Sequence, residues 1–131
     1  MADAIHQEVF IGASPERIYR AYMNADEHST FTGGGKTEIN ASDGGAFSCH
    51  DGMITGRNVE LVPGSLIVQA WRAANWEPGR YSVVRIAMEP AADGTNLTLD
   101  QEGFPEGEKN MLEGGWQQRY WEPLRQYLAN S

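Results

Sequence analysis

From residue 36 to residue 102 the sequence is cut into short pieces by turn signals: SDGG at 42–45, Asp51-Gly52, Pro63-Gly64, Pro78-Gly79 and Asp93-Gly94. Between them lie KTEINA, GAFSCH, MITGRNVELV, SLIVQAWR, RYSVVRIAM and TNLTLDQE. Each has the length of a strand. Tight turns join antiparallel neighbours, so the region predicts a meander of about six antiparallel strands. An earlier piece, IHQEVFIG at 5–12, reads as one more. Alternation in the last two pieces selects a face: Val84, Ile86 and Met88 share one side, as do Leu97, Leu99 and Gln101. In SLIVQAWR both sides carry apolar residues, and its parity stays open.

A sheet with one apolar face needs a cover. The C-terminal segment supplies the largest: Leu112, Trp116, Tyr120, Leu124 and Leu128 recur every four residues, and a helix is expected from Pro105 or Glu106 onward. At 100° per residue Trp116, Tyr120, Pro123, Leu124 and Tyr127 share the buried face, Arg119 borders it, and Trp121 falls outside it. Gly114, Gly115 and Pro123 are poor helix residues, costing roughly 1 kcal/mol for each glycine and about 3 for proline. The spacing therefore predicts a bend at Pro123 and a strand or loop lying close to the two glycines. Nearer the N-terminus, Ser14-Pro15 has the chemistry of a helix start for PERIYRAYM. ADEHSTF adds one or two turns, with Asp26 as its expected cap, before Gly33-Gly34-Gly35 ends all helix. The fold class is α+β: a curved antiparallel sheet of six to seven strands wrapped round a long C-terminal helix, with two short helices after the first strand. At 131 residues the chain is expected to form a single domain, 1–131.

A formal charge of -8 without a basic stripe argues against nucleic acid as a partner. No segment is apolar for long enough to span a membrane. The start, MADAIHQEVF, lacks a basic segment followed by an apolar one, so no signal peptide is expected. Cys49 is the single cysteine, which fits a reducing cytoplasm as the expected location.

No catalytic constellation emerges, and no metal site or cofactor is expected. Cys49, His50 and Asp51 are adjacent, but neighbours in a strand alternate faces and do not converge on one ion. His28 is expected to be exposed, and His6 has no evident partner. Gly33-Gly34-Gly35-Lys36 lacks the spacing of a phosphate loop and reads as a turn. Glu60, Glu102 and Glu113 are scattered.

Three stretches resemble a known family: ASPERIYRAYMNADEHSTFTGG, GGAFSCHDGMITGRNVELVPGSLIVQAWR and LDQEGFPEGEKNMLEGGWQQRYWEPLRQYL. Together, in order, they are similar to the activator of heat shock protein 90 ATPase homologue-like proteins of the START/SRPBCC superfamily, whose fold is the helix-grip. The resemblance implies two jobs. In eukaryotic co-chaperones such a domain, the second of two, binds the heat shock protein 90 dimer and stimulates its ATPase; this chain is expected to lack the larger chaperone-binding domain. Elsewhere in the superfamily the space between helix and sheet takes hydrophobic small molecules, and in aromatase/cyclases it catalyses reactions.

The leading expectation is thus a non-enzymatic binding module with an internal, mostly apolar cavity for a small hydrophobic ligand. Its expected lining is Phe31, Phe47, Trp71, Val84, Ile86, Leu99, Trp116, Arg119 and Tyr120. A chaperone-associated, ATPase-activating interaction domain is the alternative, and a cyclase-like enzyme the third. Either a monomer or a homodimer is compatible with the sequence.

Overall fold

The structure, a computed structural model, describes residues 3–129. Its strands are β1 (Ala4–Ile11), β2 (Glu38–Ile39), β3 (Ala46–Cys49), β4 (Ile54–Val62), β5 (Leu66–Ala73), β6 (Ser82–Ala91) and β7 (Gly94–Glu102). They form one antiparallel sheet in the order β1-β7-β6-β5-β4-β3-β2. The meander runs from β2 to β7, and β1 then closes against β7, with Ile5 opposite Gln101 and Val9 opposite Leu97. This is the curved sheet expected from the order of elements, and with the C-terminal helix against it, the helix-grip architecture that the resemblance implies.

Two devices curl the sheet. The register of β4 against β5 shifts between Asn58 and Glu60, a bulge that bends and twists the strand. Gly56, four residues earlier than Glu60 on the same strand, has no room for a side chain: a Cβ there would run into the carbonyl oxygen of Ala70. Close backbone approach of this kind is a usual reason for glycine inside a strand.

Two short helices follow β1: α1 (Pro15–Met23) and α2 (Ala25–Phe31). Ser14 caps α1 by accepting from the Arg17 N–H at 3.2 Å, with Pro15 opening the first turn. The cap of α2 is Asn24, which accepts from the Glu27 N–H at 3.0 Å, rather than Asp26. Asp26 instead lies in the first turn, where its charge favours the helix dipole.

The C-terminal helix has three sections: α3 (Lys109–Gly115), a π-helical section Trp116–Trp121, and α4 (Glu122–Ala129). It starts at Lys109, later than Pro105 or Glu106, because residues 103–108 form turns in which Gly103 and Gly107 have φ of 95° and 88°. The π section accommodates Pro123. Proline has no N–H and its ring collides with the carbonyl four residues back. Here the backbone widens first, with the Glu122 N–H reaching Gln117 O, five residues back.

That widening overturns one expectation. Trp121 is fully buried, not exposed, because a wider turn brings both Tyr120 and Trp121 inward. Its indole N–H donates to Gln7 Oε1 at 2.9 Å, and Gln7 in turn donates to the Glu113 carbonyl at 3.1 Å. Gly114 and Gly115 are a second correction. Nothing lies within 4 Å of a Cβ built on either, so no strand or loop approaches them.

The core beneath the helix is aliphatic where β1, β6 and β7 meet: Ile5, Ile86, Leu97 and Leu99 are at most 1% exposed. In β5 the open parity resolves with Ile67, Gln69 and Trp71 inward. The inward glutamines are satisfied. Trp116 donates to Gln101 at 2.9 Å, and Gln101 to Ser82 at 3.0 Å. Tyr22 donates to Gln69 at 3.2 Å, and Gln69 to Asn58 at 3.0 Å. Buried polar groups joined in this way fix one arrangement of the core, since any slip leaves a partner unpaired.

Candidate functional site

One flank of the helix is not filled. Between α3, the π section and the start of β4 and end of β5 lies a groove of about 350 Å³. Trp71, Trp116 and Tyr120 form aromatic wall; Ile54, Met111 and Leu112 add aliphatic surface. Gly115 also lines it, which gives the glycine its open surroundings. Of the nine residues named from sequence, Trp71, Trp116, Arg119 and Tyr120 border this groove. Phe31, Phe47, Val84, Ile86 and Leu99 are instead packed in the buried core. They are buried, and none of them borders this groove. His50, Met53, Asn75 and Glu108 border the groove without having been singled out for it.

A relay of hydrogen bonds forms the groove's inner end. Tyr120 Oη lies 3.0 Å from His28 Nε2 and 2.9 Å from His50 Nε2. His28 Nδ1 lies 2.8 Å from the Tyr22 carbonyl oxygen. A carbonyl only accepts, so His28 Nδ1 carries the proton and donates. Neutral His28 then accepts at Nε2 from the Tyr120 hydroxyl. The single phenolic proton being used, His50 Nε2–H must donate to Tyr120 Oη. The chain therefore runs in one direction, from His50 through Tyr120 and His28 to the Tyr22 backbone. Phe31 packs against His28 and Tyr120 with ring centroids 5.4 and 6.0 Å away.

His28 is thus buried, not exposed; α2 turns it inward beneath Tyr22 and Phe31. Burial pushes its pKa down to about 4. The His50 pKa is also lowered, by desolvation and then by the Arg119 charge. Burial raises the Tyr120 hydroxyl well above its ordinary range. It pushes the Cys49 thiol up to about 12, so at neutral pH that sulfur is a protonated, inert core group. His28 is occupied at both nitrogens and is no free base.

His50 is held by an unusual turn. His50 and Asp51 both have positive φ, 53° and 58°, a conformation costly for residues with side chains. Asp51 offsets it: its Oδ1 accepts from the Lys36 N–H at 2.8 Å, and its own N–H donates to Lys36 O at 3.1 Å. Gly35 allows the close approach, since a Cβ there would sit 3.0 Å from the His50 Cα. The glycine run is the turn expected, and its use is to seat His50.

His6 has partners, Asp100 at 2.6 Å and Glu8 at 3.0 Å, and these raise its pKa. Tyr127 donates to Glu27 Oε1 at 2.8 Å, and the same carboxylate meets Arg17 at 2.7 Å. That cluster ties α1, α2 and α4 together. Arg119 is exposed at the groove's rim, and Glu102 is exposed on the outer side of β7.

No group of three or more His, Cys, Asp or Glu among the described residues is placed to hold a metal ion. No helix among them is long and apolar enough to cross a membrane.

Residues 12–129 match the family model described as Activator of Hsp90 ATPase homolog 1-like protein. The human Activator of 90 kDa heat shock protein ATPase homolog 1 is 31% identical over 120 residues, covering 92% of this chain and 35% of the relative. A Dictyostelium discoideum protein named Activator of 90 kDa heat shock protein ATPase homolog is 36% identical over 121 residues, 90% of this chain and 31% of that one. The chain thus spans about a third of the length of these curated relatives. The crystal structure of an HSP90 activator from Plasmodium falciparum superposes with a TM-score of 0.88 at 24% identity, over 98% of this chain and 96% of that one. At that identity the likeness is one of fold.

Proposed function

The chain belongs to the Activator of Hsp90 ATPase homolog 1-like family, and from that premise we propose that it acts as a non-enzymatic binding module, taking a small apolar ligand into the groove beside α3. The observation that carries this reading is a groove of about 350 Å³ walled by Trp71, Trp116 and Tyr120. An apolar concavity with a few placed polar groups is the usual form of a small-molecule site. His28, bonded at both nitrogens, and Tyr120, bonded to both histidines, shape the wall rather than offer a base or nucleophile. Trp71 and Trp116 report occupancy directly. Intrinsic fluorescence and thermal unfolding with a panel of fatty acids, sterols and aromatic polyketides test the reading. A ligand at a hundred times its Kd adds about 2.7 kcal/mol of stability. Absence of any spectral change and of any stabilisation across the panel would contradict it.

A chaperone-associated role is the second reading, favoured by the relatives' names as activators of the 90 kDa heat shock protein ATPase. It predicts retention of the purified chaperone on the immobilised chain and a faster ATPase. Neither effect with the chaperone at tens of micromolar would exclude it.

A further inference from the structure

The two ends of the groove carry opposite charge. Glu108 lies at the start of α3 and Arg119 in the π section, roughly 15 Å apart along the helix axis. Glu108 is fixed at its end, its Oε1 accepting from the Trp76 indole N–H at 3.2 Å. Arg17, Arg20 and Arg125 are held by carboxylates, and Arg72 and Arg80 by backbone carbonyls. Arg119 has no such carboxylate or carbonyl partner among the hydrogen bonds and ion pairs of the described residues. It borders the groove beside His50, close enough for its charge to act on that ring. The apolar wall of Met111, Leu112, Trp116 and Trp71 lies between the two ends.

Arg85 and Lys109 likewise have no hydrogen-bond or ion-pair partner among the described residues, but of these three cations only Arg119 borders the groove. A guanidinium presents a planar fork that matches a carboxylate. His50 adds no second charge, being neutral with Nε2 committed to Tyr120. One positive charge therefore awaits one negative charge, and a dianion would be half compensated. Glu108 repels an anion at the far end, which sets the ligand's direction.

Resting on the binding reading above, we infer that the groove selects an apolar monocarboxylate, its head group held by Arg119 and its body laid along α3 towards Met111.

The test is tryptophan fluorescence titration of the full chain with dodecanoate, dodecan-1-ol and dodecyl phosphate, each below its micellar concentration. Dodecanoate binds about ten- to a hundredfold tighter than the alcohol, the range of a charge-assisted hydrogen bond. Arg119→Gln removes that preference, the acid losing far more affinity than the alcohol, and leaves the melting temperature unchanged because the side chain is exposed. Arg119→Lys retains part of it. Equal affinity for acid and alcohol in the wild type overturns the inference while leaving an apolar groove in place. Tighter binding of dodecyl phosphate overturns the choice of carboxylate. A preference that survives Arg119→Gln overturns the assignment to Arg119. Binding of none of the three overturns the inference together with the reading it rests on.

Discussion

The same helix has two unlike flanks. Towards β1, Trp121 is fully buried and the neighbouring sheet offers Ile5, Leu97 and Leu99, with Gln7, bonded to the Trp121 indole and the Glu113 carbonyl, joining strand to helix. Towards β4 and β5, the wall is Trp71, Trp116 and Tyr120, backed by two histidines, and a groove is left open. Branched aliphatic residues of similar size interdigitate to full density. Large planar rings held at fixed angles by hydrogen bonds do not close up on one another so readily. On this account the closed flank holds the fold together and the open flank is shaped for a ligand.

The largest effect expected is on the closed flank. Trp121→Ala removes a fully buried indole and should cost about 4 kcal/mol, read as a shift in denaturant midpoint. A cost below about 1 kcal/mol would mean that this flank is not the tight one.

Acid provides the next contrast. His28 titrates near 6.5 when unfolded and near 4 when folded. As pH falls from 6.5 to 4 the unfolded chain takes up the proton first, so the native state loses stability across that window, by up to about 3 kcal/mol. His28→Gln should flatten this part of the pH–stability curve. An unchanged slope would place the acid sensitivity elsewhere.

A smaller loss is expected from Tyr120→Phe, which leaves both His28 Nε2 and His50 Nε2 without their partner. About 2 kcal/mol should be lost, since unsatisfied buried groups cost roughly 1–3 kcal/mol each. A neutral result would mean that the relay is replaced by water.

The smallest effect has the opposite sign. Gly114→Ala should stabilise by about 1 kcal/mol, because the backbone is helical there and a Cβ meets open space. Destabilisation would show that something does approach the glycine pair.

The closed flank was the more legible in the sequence. Val84, Ile86, Leu97 and Leu99 lie at alternate positions, and the meander from β2 to β7 and the covering helix follow from that period and from the turns, whereas the place of β1 beside β7 does not. Trp121 escaped because a uniform 100° step does not foresee the widened turn that Pro123 demands. On the open flank, the groove residues Trp71, Trp116 and Tyr120 carry an apolar signal. The relay does not, because its members are 92 and 70 residues apart and each histidine alone looks like a surface residue. His50 further depends on a left-handed turn, for which Asp51-Gly52 was only a generic signal. Such clusters are visible once the sheet has curled, not before.

If the open flank is a binding site, the space beside Gly115 takes the ligand. The measurement is Nile red fluorescence with wild type and Gly115→Leu, read alongside the melting temperature. A Cβ at this position meets nothing within 4 Å, so leucine extends into the groove from its helical wall. Dye binding to the wild type, its loss in Gly115→Leu, and a melting temperature unchanged or raised are expected. Undiminished dye binding by a folded Gly115→Leu variant would contradict that placement.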